Sequence, residues 1–148
     1  MKKISKVGLL VSVTLLTLLT FLGSTSNAAI DSRQWVNLPE MMRNHMMSNM
    51  RDHMIAIDKI LNSLGNGEMD IAAEIAEQHL GMSSLKTHGA NHMAKLMPEG
   101  MREAGTNMHK AASRFALKAQ EGDPVPTYKA LAEITSACVA CHTEYRIK

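Results

Sequence analysis

The chain has 148 residues, a formal net charge of +2 and two cysteines, which is room for one ordinary domain and excludes multi-domain enzymes. Aromatic residues amount to 3% while methionine alone supplies 13 positions, so the core is expected from Leu, Ile, Ala and thioethers. That disfavours β-sandwiches and nucleic-acid binders built on stacked rings, and a content of 45% hydrophobic and 20% charged residues is that of a folding chain.

At the N-terminus Lys2, Lys3 and Lys6 precede an apolar stretch from Val7 to Leu22, then the small polar run Gly23 to Asn27 and Ala28-Ala29. This order predicts a secretory signal peptide over residues 1–28, with Ser26 and Ala28 at the small positions before the cut. An uncleaved anchor is the rival reading, but Ser12, Thr14, Thr17 and Thr20 interrupt a stretch already short for a span. Cleavage leaves residues 29–148 as the domain and removes three lysines and no acids, so the mature charge becomes −1. Such a domain has no reason to seek phosphate backbones, which argues against a nucleic-acid partner. Export of a bacterial type predicts the periplasm, where a free cysteine pair oxidises unless other chemistry consumes it.

The first helix is expected from about Pro39 to Leu64. Asn37 with Glu40 resembles a capping arrangement, Pro39 is tolerated in a first turn, and Gly65 and Gly67 end the helix. Met47, Met50, Met54, Ile57, Leu61 and Leu64 alternate at spacings of three and four and predict the buried seam, with His45, Asp52 and Lys59 away from it. A second helix is expected from Asp70 to Leu80, with Ile71, Ile75 and either Gln78 or His79 inward and Gly81 as its stop. Met82 to Met97 reads as a long connection. Pro98 begins a third helix with Met101, Gly105, Met108, Ala112, Phe115 and Ala119 on one face, ending near Gly122. After the Gly122-Asp123-Pro124-Val125-Pro126 linker, a last helix is expected from Pro126 to Ile147. No strand or repeat is predicted, and these elements together predict an all-α antiparallel four-helix bundle.

The two cysteines occur as Cys138-Val139-Ala140-Cys141-His142, the C-x-x-C-H pattern of c-type haem attachment. Each thiol adds to one porphyrin vinyl group, and the adjoining imidazole reaches the iron as proximal ligand. On a helix these residues stand at i, i+3 and i+4 and share a face, which Leu131, Ile134 and Tyr145 continue. A thioredoxin-like pair would need a βαβ setting, and structural zinc would need a second ligand pair. The pattern therefore predicts one covalent haem c on the C-terminal helix.

The ending Cys138-Val139-Ala140-Cys141-His142-Thr143-Glu144-Tyr145-Arg146, together with Arg43 in the first helix, resembles the class II c-type cytochromes, the cytochrome c′ family of exported four-helix bundles. The resemblance spans about Arg33 to Lys148. It implies that the residue four positions after Arg43, Met47, faces the distal side of the iron. Family members with leucine there are five-coordinate and bind nitric oxide or carbon monoxide, whereas those with methionine are six-coordinate, low-spin electron carriers. The resemblance thus implies a carrier with His142 and Met47 as metal ligands, served by redox partner proteins and pairing as a homodimer. Met47 also falls on the seam deduced from periodicity, where most methionines are simply core; Met46 and Met50 are the alternative thioethers.

Arg43 and Arg146 are candidate partners of the haem propionates, and Tyr145 and Trp35 candidate pocket residues. His79, His88, His92 and His109 are rival iron ligands, with His79 and His92 ahead. A different class of function, periplasmic copper binding by the methionine-rich helix, is opposed by the need of Met47, Met50 and Met54 for burial. No catalytic triad, carboxylate pair or phosphate loop can be placed, so a non-enzymatic role is expected.

Overall fold

The computed structural model describes residues 30–148; the expected signal peptide lies outside the described residues. Among those described, the helices are α1 (Glu40–Gly65), α2 (Met69–His79), the single turn α3 (Ala90–Met93), α4 (Glu99–Gln120) and α5 (Pro124–Glu144). Short 3-10 turns span Met82–Leu85 and Ala94–Leu96, so the segment read as a long connection is a string of brief turns. The all-α class holds, with one correction: Gln34–Val36 (β1) and Tyr145–Ile147 (β2) pair in parallel, Trp35 opposite Arg146. The last helix consequently ends at Glu144, and Tyr145 leaves its face. The register sets the Arg146 guanidinium 3.9 Å from the centre of the Trp35 ring, a cation–π contact that covers the half-exposed indole.

Sequence punctuation explains where the helices stop and start. Gly122 takes φ +76°, a left-handed conformation that closes α4 without strain. Asp123 then caps α5 by accepting a hydrogen bond from the Val125 amide at 3.1 Å, and Pro124 occupies the first turn, two residues before the expected start. The buried Thr127 hydroxyl donates to the carbonyls of Asp123, at 2.7 Å, and Lys118, at 3.2 Å. At the start of α1, Pro39 holds the cap position and no side chain caps the helix, so Asn37 does not serve the role its spacing suggested.

Helix α2 packs on both α1 and α4, and α4 on α5, whereas α1 and α5 share no comparable contact. The inner faces divide into two clusters of different texture. One is rich in alanine: Ala56 and Ile60 of α1, Ala72, Ala73 and Ala76 of α2, Phe115 and Ala112 of α4, and Ile134 of α5 belong to it. Small side chains let helices approach closely. The other cluster joins Val36 and Leu38 to Met46, Met93 and Met101, with Met42, Met97, Cys141, Tyr145 and Ile147 against it.

The buried face of α1 differs from the expected seam. Met46, Ala56, Ile60, Ser63 and Leu64 are buried, whereas Met47 is 42% and Met54 71% exposed and Leu61 lies half in solvent. The helix carries apolar residues in adjacent pairs, Met46-Met47 and Ile60-Leu61 among them, so two stripes one residue apart satisfy the same periodicity. Burial falls to the stripe whose small members, Ala56 and Ser63, suit the alanine face of α2. On α2 the inward residues are likewise Ala72, Ala73 and Ala76, while Ile71, Gln78 and His79 stay outside and Ile75 is half-buried. On α4 the expected face is present, with Met101, Met108, Ala112, Phe115 and Ala119 buried.

Candidate functional site

A cavity of about 320 Å³ opens at the methionine end of the fold. Its wall takes Met46, Met47, Met50 and His53 from α1, His88 and Met93 from the 82–97 segment, Met101, Met108 and His109 from α4, and Cys141 and His142 from the end of α5. Tyr145, Arg146 and Arg33 complete it, and Arg33 donates from Nη1 to the His142 carbonyl at 3.3 Å. The wall is predominantly apolar. Gly105 contributes by omission, because a Cβ there would meet nothing within 4 Å. At Gly100, by contrast, the Tyr145 hydroxyl lies where a Cβ would stand.

The C-x-x-C-H residues sit at the junction of the two clusters. Cys138 is half-buried against the alanine core, Cys141 packs on the methionine cluster, and His142 is solvent-accessible at the cavity. The thiols stand free of each other. Burial pushes both up from the usual thiol range, and for Cys141 the neighbouring Cys138 adds to the rise. A redox-active C-x-x-C pair needs the opposite displacement, toward thiolate, so dithiol oxidoreductase chemistry is disfavoured.

Three histidines meet on the cavity wall: His53 of α1, His88 of the connecting segment and His109 of α4. The His88 carbonyl accepts from His45 Nε2 at 2.9 Å and Asn49 Nδ2 at 3.0 Å, which fastens the segment to α1. The next residue, Gly89, has φ +63°, and a Cβ there would lie 2.9 Å from His45 Nε2. A Gly89→Ala variant is therefore expected to lose about 1–2 kcal/mol of stability, from left-handed strain plus displacement of His45, measurable as a lower urea midpoint. Burial, followed by the charges of His88, His109 and His142, lowers His53 from 6.5 to about 4. Burial likewise lowers His88 and His109, in spite of a hydrogen bond from His109 to the Leu80 carbonyl that works the other way.

These displacements set the direction of a pH effect. Between the folded value of about 4 for His53 and its ordinary 6.5, the unfolded chain binds more protons, so stability is present above pH 6.5 and drains away toward pH 4. For this residue the full loss is roughly 3–4 kcal/mol. The urea midpoint is expected to drop between pH 7.5 and pH 5, and to drop less in His53→Gln.

No protein-family model, curated protein or solved structure matches the chain. Of the residues singled out by sequence, Cys141, His142, Met47, Tyr145 and Arg146 border one cavity, while Cys138 lies a turn away and Arg43, half-buried on α1, is outside the wall. Among the rival histidines the order reverses: His88 and His109 are on the wall, whereas His79 and His92 are exposed and absent from it. His53 went unnoticed in the sequence, where it falls one position from the expected seam. Shifting that seam by one residue brings it inward, so the signal was the second stripe of α1. Exposure of Met47 and Met54 also removes the objection that these methionines are committed to the core.

Proposed function

We propose that the chain is an exported monohaem c-type cytochrome of the class II kind, a periplasmic electron carrier and not an enzyme. Its four long helices are read as the antiparallel bundle of that class, with haem c attached at Cys138 and Cys141 on the last of them. The observation that carries this reading is the Cys138-x-x-Cys141-His142 face ending at a methionine-walled cavity. The residues present fit the group. Two unpaired thiols at i and i+3 provide thioether anchors, an imidazole at i+4 provides an axial ligand, and the apolar wall suits a porphyrin face.

In this reading His142 and Met47, on the same cavity wall, are the residues that would hold the iron. A bound iron porphyrin supplies one-electron redox chemistry there, at a potential raised by thioether ligation. The chain's own contribution is to hold and exclude. Methionine side chains give the cavity its apolar wall, while α1 and α5, tied into the alanine core, fix the positions from which Met47 and His142 reach it. Arg146 and Arg33 offer guanidinium groups at the wall for the propionates; Arg43, being outside it, is left without that part. Redox proteins are the expected partners, and a homodimer the expected assembly. Among the described residues no helix is long and apolar enough to cross a membrane.

The test is the mass of the intact protein after denaturation, purified from a host that matures c-type cytochromes. A gain of one haem, with both thiols closed to alkylation, supports the proposal. A colourless chain with two alkylatable thiols overturns it.

A further inference from the structure

We propose that Trp35 is a positioning residue for the haem: its ring pins the Arg146 guanidinium where that group meets a propionate, and through this pairing it sets the reduction potential. The proposal rests on the haem reading above and adds to it a residue that lies outside the cavity wall.

Strand register places the pair. With Trp35 opposite Arg146 and Val36 opposite Ile147, side-chain alternation puts Trp35 and Arg146 on one face of the β1–β2 ribbon and Val36, Tyr145 and Ile147 on the other. The second face packs into the methionine cluster. Trp35 and Arg146 are thereby turned away from that cluster, and the Lys148 amide, donating to the Val36 carbonyl at 3.2 Å, carries the ribbon past them.

The single tryptophan is spent on this contact and not on the core. In a chain with 3% aromatic residues it is 52% exposed, so burial returns only part of its apolar area. What its ring has instead is the guanidinium 3.9 Å from its centre, and indole is the strongest of the cation–π partners. Stacking engages the flat face of the guanidinium and none of its N–H groups, which lie in its plane. A guanidinium already held against a ring also gives up less rotamer freedom on meeting a carboxylate.

Arg146 borders the cavity and Trp35 does not, so the indole acts through the arginine. The same stretch of chain supplies a second hold. Arg33, two residues before Trp35, also borders the cavity and donates to the His142 carbonyl. Residues 33–36 thus hold the chain end at His142 and at Arg146. The sign of the effect follows from charge. A propionate is an anion near the iron; a guanidinium pinned beside it offsets part of that charge, whereas one released into solvent leaves it to favour ferric iron.

The test measures the midpoint potential of the haem-loaded protein, with haem counted by intact mass, beside its urea midpoint. Trp35→Leu is expected to shift the equilibrium about threefold toward ferric, a fall of roughly 28 mV at about 59 mV per tenfold. Trp35→Met, also without a ring, takes its place should the leucine variant fail to fold. Trp35→Phe keeps a π face and should recover at least half of the shift. Arg146→Leu should lower the potential further, and adding Trp35→Leu to it should change nothing more, because the indole has no other route to the haem. An unchanged potential with a lowered urea midpoint overturns the proposal, since the contact would then only clasp the ribbon. So does a Trp35→Leu shift that persists in full without Arg146, or a Trp35→Phe protein indistinguishable from Trp35→Leu. Protein that carries no haem overturns the proposed function and this inference with it; haem at the parental potential in Trp35→Leu overturns this inference alone.

Discussion

A Met47→Leu variant is expected to convert the ferric protein from low to high spin and to open the ferrous form to carbon monoxide. Leucine has nearly the volume of methionine but no donor atom, so the substitution removes a ligand without emptying the site. Because Met47 is 42% exposed and outside both buried clusters, the fold should persist without it, and loss of the sixth ligand can be told from partial unfolding by unchanged helicity. Unchanged spectra would retire Met47. The same measurement on Met46→Leu, Met50→Leu and His53→Gln then locates the ligand, since all four side chains reach the cavity wall. If none of the variants alters the spectrum and the parent protein already binds carbon monoxide, the iron is five-coordinate and the chain is a gas binder.

Phe115→Ala is expected to be the most damaging single substitution in the core, costing about 3–5 kcal/mol. The ring is fully buried on α4 within a cluster otherwise dominated by alanine. Alanine neighbours have no side-chain atoms beyond Cβ with which to fill the space, so the void persists and the lost contacts are not recovered. Against a total stability of 5–15 kcal/mol typical of domains, that is a large fraction, and the melting temperature should fall by roughly 10–20 °C. Met54→Ala is the control. Its side chain is 71% exposed, and the variant should stay within about 0.5 kcal/mol of the parent, whereas the seam first expected from periodicity would make it a core deletion.

How much of the molecule could be read in advance depended on the kind of signal. Helix α4 was legible almost to the residue because its apolar positions form a single stripe, Met101 to Ala119, bounded by Pro98 and Gly122. Helix α1 was legible as a helix but not in rotation: paired apolar residues allow two stripes, and periodicity carries no information about which one a neighbour covers. On α2 the larger side chains Ile71 and Ile75 drew the prediction outward from Ala72, Ala73 and Ala76. Hydrophobicity ranks isoleucine first, whereas close helix packing rewards the smallest side chain. The parallel pairing of β1 with β2 joins segments more than a hundred residues apart and has no local signature.

By itself the sequence determined the helical class, the order of the long helices and the C-x-x-C-H face, because each is written in spacings of three and four along one segment. Tertiary structure alone decided that His53, His88 and His109 share a wall with His142, and that Met46 turns inward where Met47 does not. Those outcomes depend on which surfaces of different helices meet, and that is settled by side-chain volume across the interface, not by the pattern along any one chain segment.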